Sequence, residues 1–180
     1  ATATDAAPVE PPLNEYQTKQ LLAPFGTTFL PGTPSANAAE AVAVAAQIGY
    51  PVVLKILSAD ILHKTEVGGV RLHIADEAQL RQACDAMLES VTRQVPQARI
   101  DGFLVQPMAT GGVAELIAGV THDPVFGPAL TVGLGGVLTE IYQDASHRLL
   151  PVDKGMVQDM LRELTAWPLL DGFRGRPVAD

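Results

Sequence analysis

One lysine, Lys55, interrupts the strand-like run Val52–Leu57, whose other members are all valine, leucine or isoleucine. A charged side chain inside such a strand is costly unless an anion meets it. A loop follows, and then Gly68 and Gly69 precede a second strand-like run, Val70–Ile74. Glycine lets backbone N–H groups approach a ligand closely. The strand lysine and the glycine pair together indicate a polyphosphate site. The alternatives are a lysine whose ammonium reaches solvent and an ordinary turn.

His63 lies in the loop between the two runs, next to Lys64. A loop histidine is usually a solvent-exposed residue, but a pKa near neutrality also suits a nucleophile that holds a phosphoryl group. Both interpretations stay open at this point. The P-loop pattern and the GxGxxG dinucleotide fingerprint are absent from the sequence. The glycine pair therefore predicts a different way of binding phosphate.

The run Val105, Gln106, Pro107 and Met108 ends another predicted strand. A strand end of this kind offers a backbone carbonyl and an N–H beside an apolar methionine, which suits the edge and face of an adenine. The alternative is a strand that simply stops at a proline.

Glu115 is predicted to lie in a strand over residues 113–121, on one face with the apolar residues Val113 and Ile117. A carboxylate with such neighbours needs a partner, for example a cation, a ribose hydroxyl or a lysine such as Lys55. The alternative is a solvated face of the sheet.

The composition excludes several classes of protein. A net charge of -8 over 180 residues gives no basic patch for nonspecific binding to nucleic acid, and no run is apolar enough for a membrane span. Cys84 is the single cysteine, so no intrachain disulfide can form, which suits a reducing, cytoplasmic compartment. Cys84 lies on an apolar helical stripe and is predicted to be a core residue. No histidine or cysteine spacing indicates a zinc site.

The periodicity predicts a mixed order of helices and strands. Helices begin after Asn14, after Ser35 or Asn37, after Asp76 and after Asp153. The predicted strands cover residues 52–57, 70–74, 102–106, 113–121, 130–132 and 148–152. Residues 169–180 are predicted to form a loop, and residues 1–12 resemble an interdomain linker, which suggests a piece of a longer polypeptide. This order predicts an α/β or α+β two-layer architecture.

Several motifs in a fixed order resemble the ATP-grasp domain of ADP-forming acyl-CoA synthetases, in the succinyl-CoA synthetase superfamily. The resemblance runs from about Leu13 to the C-terminus. It rests on residues 14–16, 48–55, 60–64, 67–70, 105–108, Glu115, 123–128, 133–136 and 169–175.

The resemblance implies an ATP-grasp fold, in which two α/β lobes, residues 13–106 and 107–180, clasp a nucleotide. Lys55 would bind phosphates, with the glycine pair over them. Residues 106–108 would form the hinge against adenine, and Glu115 would lie near the ribose and phosphates. His63 would relay a phosphoryl group as a phosphohistidine.

The implied reaction converts acyl-CoA, ADP and phosphate reversibly into a carboxylate, CoA and ATP, by way of an acyl phosphate. Its other parts are CoA-binding and CoA-ligase domains, on the same polypeptide or on an alpha subunit. Mg²⁺ is the implied metal. The family carries magnesium ligands on a later strand, beyond Asp180, so no ligand is assigned here; Asp144 and Glu140 are candidate substitutes.

Two other functions stay open. Similar domains are fused to protein lysine acetyltransferases, where they act as regulatory or scaffold modules. A generic ATP-grasp ligase that joins a carboxylate to an amine is the other alternative, although such a ligase needs no phosphohistidine, and the setting of His63 argues against it.

Overall fold

A computed structural model describes residues 12–136 and 143–179. The chain divides into two compact units, Ala1–Ala109 and Thr110–Asp180. No helix in the described ranges is long and apolar enough to cross a membrane.

The first unit contains three helices and four strands. They are α1 (Glu15–Leu22), β1 (Thr33–Ser35), α2 (Ala38–Ile48), β2 (Val52–Leu57), β3 (Val70–Ile74), α3 (Glu77–Gln94) and β4 (Gly102–Pro107), with a 3-10 turn at Ala23–Phe25. Side chains of Asn14, Asn37 and Asp76 accept hydrogen bonds from the first-turn amides of the three helices. These caps are the ones that the sequence predicts, because capping depends on near neighbours in the chain.

The four strands form one antiparallel sheet in the order β1-β4-β2-β3. In β2, alternate residues face opposite sides. Val52, Leu54 and Ile56 pack into a core with α2 and α3. Lys55 points to the other side, where its register partners are Val70 on β3 and Leu104 on β4. The helices thus cover one face of the sheet, and Lys55 belongs to the other.

Cys84 lies in the core of this unit and is fully buried, as predicted. Burial raises the pKa of its thiol to about 11. The residue is therefore an inert packing group at neutral pH rather than a nucleophile.

The second unit is built around a three-stranded antiparallel sheet in the order β5-β6-β7. Its described elements are β5 (Leu116–Asp123), β6 (Gly127–Leu134), β7 (Ala145–Leu149), α4 (Lys154–Glu163) and α5 (Trp167–Leu170), with a 3-10 turn at Phe173–Gly175. Ser146 on β7 donates a hydrogen bond of 2.6 Å to Glu163 on α4, and Arg148 pairs with the same carboxylate. These contacts fix α4 against one face of the sheet.

Several predicted boundaries in this unit are wrong; the strand predicted at 130–132, for example, is Gly127–Leu134. The strand predicted at 113–121 begins only at Leu116, because its partner β6 ends at Leu134, directly opposite. The strand predicted at 148–152 is Ala145–Leu149, because its ladder with β6 ends at Leu149. The predicted C-terminal loop contains the 3-10 turn and a bridge between Asp171 and Val178. Each boundary depends on a pairing partner that is distant in the sequence.

Candidate functional site

Lys55 meets an anion, as its place in the strand requires, and that anion belongs to the chain itself. Its Nζ lies 2.9 Å from Oε1 of Glu15, the first residue of α1. The same carboxylate lies 2.9 Å from the ammonium of Lys19 and 3.3 Å from that of Lys64. One carboxylate thus gathers three lysines on the face of the sheet that α2 and α3 do not cover.

Lys55 and Lys19 keep Glu15 ionised. Partial burial raises the pKa of Glu15, but the hydrogen bonds from Lys55 and Lys19 and their positive charges outweigh burial and lower this pKa to about 2. The cluster contains three positive charges and one negative charge at neutral pH. Its net positive charge suits a further anion, such as a phosphate.

The glycine pair lies directly beside Lys55. The Ile56 N–H donates to the Gly69 carbonyl at 2.8 Å, and the Gly69 N–H donates to the Lys64 carbonyl at 2.6 Å. Gly68 has a φ of +73°, in the left-handed region that favours glycine. A Cβ at Gly69 would lie 2.7 Å from Cγ2 of Ile56. Glycine is therefore required at both positions, one for conformation and the other for space.

The histidine segment, residues 58–69, connects β2 to β3. The side chain of His63 is 78% exposed, and its Nδ1 lies 3.8 Å from Oε1 of Glu66. The side chain of Lys64 is only 17% exposed, because it turns inward to Glu15. The segment therefore presents a histidine to solvent and anchors the next residue beneath it.

One pocket of about 410 Å³ brings these groups together within the first unit. Its lining residues are Glu15, Lys55, Leu62, His63, Lys64, Thr65, Glu66 and Val70. The predicted lysine and the predicted histidine thus border the same space; the glycine pair does not line it but precedes Val70, which does.

Val105 and Gln106 are buried near the end of β4, and Pro107 and Met108 are half-buried. The Gln106 side chain lies on the Lys55 side of the sheet and donates to the Leu30 carbonyl at 3.3 Å. The side-chain amide is thus engaged within the chain. At this strand end, the groups that could contact an adenine base are the backbone of residues 106–108 and the thioether of Met108.

Glu115 does not lie on an apolar strand face, contrary to the prediction. It precedes β5 and is exposed. Water therefore solvates its carboxylate, and the carboxylate needs no charged partner within the protein. What positions it is the glycine turn after β6. The Gly135 N–H donates to the Glu115 carbonyl at 2.8 Å, and a Cβ at Gly136 would lie 2.7 Å from Oε2 of Glu115.

Asp144 connects the start of β7 to the turn before α5 in the second unit. Its Oδ1 accepts from the Thr165 N–H at 2.8 Å, and its Oδ2 accepts from the Ala166 N–H at 2.9 Å, just before α5. Both carboxylate oxygens are therefore engaged with backbone amides. Glu140 lies outside the described residues. Within the described ranges, no group of three or more His, Cys, Asp or Glu residues could hold a metal ion.

Sequence reasoning missed the role of Glu15. The sequence indicates only a helix that begins near this residue, with Lys19 one turn later. Nothing local connects Glu15 to Lys55 or Lys64, which lie 40 and 49 positions away. The strand lysine was the only available signal, and the sequence suggested a polyphosphate or Glu115, rather than Glu15, as its anion.

Comparison with known proteins identifies relatives along almost the whole chain. Residues 9–180 match a family model described as an ATP-grasp domain. The chain is 42% identical over 160 residues to acetate–CoA ligase [ADP-forming] I of Archaeoglobus fulgidus, covering 89% of this chain and 23% of that protein. It is 38% identical over 168 residues to the beta subunit of acetate–CoA ligase [ADP-forming] I of Pyrococcus furiosus, covering 93% and 72%. The chain thus spans about a quarter of the first relative and most of the second.

A solved relative is the dinucleotide forming acetyl-coenzyme A synthetase 1 of Ca. Korarchaeum cryptofilum. In complex with coenzyme A, Ca-AMPCP and HgCl+, it superposes with a TM-score of 0.84 at 40% identity, covering 93% of this chain and 73% of that one. With coenzyme A and Mg-AMPPCP bound, the TM-score is 0.70 at 36% identity, with coverage of 92% and 70%. In that second complex, the relative's phosphohistidine segment points towards its nucleotide-binding site.

Proposed function

Because this chain belongs to the ATP-grasp domain family, homologous to the beta subunit of ADP-forming acyl-CoA synthetases, we propose that it is the nucleotide-binding, phosphoryl-transfer part of such an enzyme. The reaction is the reversible conversion of acyl-CoA, ADP and phosphate into a carboxylate, CoA and ATP. An acyl phosphate and a phosphohistidine are its intermediates.

The observation that carries this proposal is the shared pocket of Lys55 and His63. A phosphoryl group transferred between a histidine and a nucleotide needs a nucleophile and a cation beside the same space. The pocket supplies the imidazole of His63 and the ammonium groups of Lys55 and Lys64. Lys55 acts as a point charge on the phosphates. The N–H groups of Gly68 and Gly69 donate to the Thr65 and Lys64 carbonyls, so the glycine pair contributes through its compact backbone beside Lys55 rather than through free N–H donors.

His63 exchanges the phosphoryl group with the terminal phosphate of ADP. Glu66 lies on the Nδ1 side of the ring, with its Oε1 3.8 Å from Nδ1, so we assign phosphorus to the other ring nitrogen, Nε2. In the transfer to ADP, the bond between Nε2 and phosphorus breaks as a β-phosphate oxygen of ADP bonds to phosphorus. The ring leaves as neutral imidazole because Nδ1 keeps its proton. The reverse step forms phosphohistidine from ATP.

The adenine is recognised mainly by main-chain groups at the end of β4. The Gln106 side chain is engaged by Leu30, so the backbone of residues 106–108 supplies the hydrogen bonds, with Val105 and Pro107 fixing the strand and Met108 offering apolar contact. The role of Glu115 near the ribose and phosphates rests on the family resemblance; within the second unit, the Gly135–Gly136 turn holds this residue. The two ATP-grasp lobes of this proposal are residues 13–106 and 107–180, and the division of the chain into the units Ala1–Ala109 and Thr110–Asp180 supports it.

Mg²⁺ accompanies the nucleotide in this proposal, as Mg-AMPPCP does in the Korarchaeum relative. Among the described residues, no group of three or more His, Cys, Asp or Glu side chains could hold this ion, and both oxygens of Asp144 are engaged by amides. Mg²⁺ commonly binds through phosphates and water, with one or two carboxylates. We therefore assign no step and no ligand to it.

The partners that complete the reaction are CoA-binding and CoA-ligase domains, on the same polypeptide or on a separate alpha subunit. The relatives described above are ligases and a synthetase, so they give no support to the acetyltransferase alternative. A cytoplasmic location suits the buried thiol of Cys84, which stays reduced there.

Labelling of His63 tests the proposed function. The complete enzyme is incubated with Mg²⁺ and ATP labelled at the γ-phosphate, and the acid-labile label is mapped to a peptide. We expect label on His63, its loss in His63→Asn and its retention in His122→Asn, a control at an exposed histidine on β5. Equal labelling of His63→Asn and the wild type would overturn the assignment, as would an unlabelled wild-type enzyme that binds ATP.

A further inference from the structure

The carboxylate of Glu15 links the strand that carries Lys55 to the segment that carries His63. Its Oε1 contacts Lys55, and its Oε2 contacts Lys64, the residue that follows His63. The three side chains are 17–27% exposed, and in the described part of the chain Glu15 is the only carboxylate that forms an ion pair with either lysine. No other side chain joins β2 to the histidine segment in this way among the described ion pairs.

Contacts of the preceding residue, Asn14, fix the position of Glu15. Asn14, just before it, is buried, and its amide donates to Asp101 Oδ2 at 2.9 Å. Asn14 and Gln17 form a capping box, with reciprocal hydrogen bonds of 3.0 and 2.9 Å. The start of α1 is therefore fixed to the first unit, so the position of the carboxylate fixes the positions of the two ammonium groups.

The carboxylate of Glu15 has two opposing effects: it anchors the histidine segment, and it competes with a phosphate for the same lysines. Lys19 on α1, Lys55 on β2 and Lys64 on the histidine segment surround it, while His63 and Glu66 line the same pocket. Without the carboxylate, the ammonium groups would repel each other and the histidine segment would lose its anchor. However, the carboxylate also occupies the donors that a phosphate would use, and it repels a phosphate directly.

We propose that Glu15 is a positioning residue that ties the histidine segment to the phosphate-binding lysine, and that it competes with the nucleotide phosphates for Lys55 and Lys64. This inference rests on the proposed function. It predicts opposite effects on two steps: loss of the carboxylate strengthens nucleotide binding, because a competing anion is removed, and slows phosphoryl transfer to His63, because Lys64 no longer holds the segment.

The test compares Glu15→Gln with Glu89→Gln in the complete enzyme. Glu89 is an exposed residue of α3 whose loss removes the same charge away from the cluster. Calorimetry gives the Kd for MgADP, and rapid quenching gives the rate at which labelled ATP phosphorylates His63. For Glu15→Gln we expect the Kd to fall roughly three- to tenfold and the transfer rate to fall at least about tenfold, whereas Glu89→Gln matches the wild type.

If Glu15→Gln folds poorly, a variant of Lys64, its ion-pair partner on the histidine segment, tests the same inference. Lys64→Met should also slow transfer, and adding Glu15→Gln to it should slow transfer no further, because both changes break the same link. Independent, additive losses would overturn the inference. A parallel loss of affinity and rate in Glu15→Gln would also overturn it, since that result indicates only a damaged structure.

The two proposals fail in different ways. If the wild type binds MgADP and labels His63 but Glu15→Gln behaves like Glu89→Gln, only the role of Glu15 is wrong. If the wild-type enzyme binds nucleotide and leaves His63 unlabelled, the proposed function is wrong, and the role of Glu15 with it.

Discussion

Oε1 of Glu15 lies 2.9 Å from Nζ of Lys55, although the two residues are 40 positions apart in the chain. The contact joins the first turn of α1 to the middle of the sheet. It gives the strand lysine the anion that its position requires, and it brings that lysine close to the histidine segment through Lys64. The pKa of Glu15, held near 2, shows how strongly the lysines stabilise the ionised carboxylate.

The Glu15 cluster should make the first unit sensitive to acid. A carboxyl group whose pKa falls from 4.5 to about 2 on folding contributes stability that is fully present above pH 4.5 and is lost as the pH falls towards 2. We expect a contribution of about 1–2 kcal/mol at pH 7, because partial solvent exposure screens the ion pairs. Urea unfolding at pH 7 and pH 2.5 should show the wild type losing more stability than Glu15→Gln. Parallel pH curves for the two proteins would contradict this prediction.

Lys55→Met should weaken nucleotide binding by about 1.5–3 kcal/mol, because it removes a charge-assisted contact to a phosphate. Arg93→Met is the matched control, since it removes one positive charge from an exposed position on α3, the helix that packs on the other side of the sheet. Calorimetric titration with MgADP and MgATP measures both variants. Equal affinities for Lys55→Met and the control would remove Lys55 from the phosphate site.

Asn14→Ala should destabilise the first unit more than Asn37→Ala does. Both residues cap helices, and a lost cap costs about 0.5–2 kcal/mol. Asn14 is also buried and bonded to Asp101, whereas the cap formed by Asn37 is exposed. Denaturant unfolding of the two variants should therefore differ, with the greater loss for Asn14→Ala; an equal loss would mean that the contact with Asp101 contributes nothing.

Gly69→Ala should distort the end of the histidine segment, next to Lys64. Its Cβ would lie 2.7 Å from Cγ2 of Ile56 and 3.0 Å from the Lys64 carbonyl oxygen, so the backbone would have to shift at a cost of about 1–3 kcal/mol. Gly119→Ala on β5 is the control, because its Cβ meets nothing within 4 Å. Thermal unfolding and MgADP titration should both respond to the first change. A Gly69→Ala protein with wild-type stability would show that the segment adapts without strain.

Asp144→Asn should destabilise the second unit by about 1–3 kcal/mol. The asparagine keeps one acceptor, but its NH₂ group would face one of the two backbone N–H groups that the carboxylate now satisfies. Asp159→Asn, at an exposed carboxylate of α4, is the matched control. Limited proteolysis should cleave the second unit faster in Asp144→Asn only. Unchanged cleavage would argue against the structural role of Asp144.

Local features of the fold could be predicted from the sequence. The strands Val52–Leu57 and Val70–Ile74 and the caps at Asn14, Asn37 and Asp76 have the predicted places, because periodicity and capping depend on neighbours within a few residues. The start of β5 was misplaced because it depends on where β6 ends, and Glu115 was consequently assigned to the wrong environment.

The sequence by itself determined that Lys55 lies in an otherwise apolar strand, that a glycine pair ends the loop after it, and that the ordered motifs belong to an ATP-grasp domain. Only the tertiary structure decided which anion meets Lys55 and which groups share its pocket. The physical reason is the range of the interactions. A charge in an apolar strand is a local conflict that any reader of the sequence detects, whereas its partner Glu15 is chosen by the packing of α1 against a sheet assembled from distant segments.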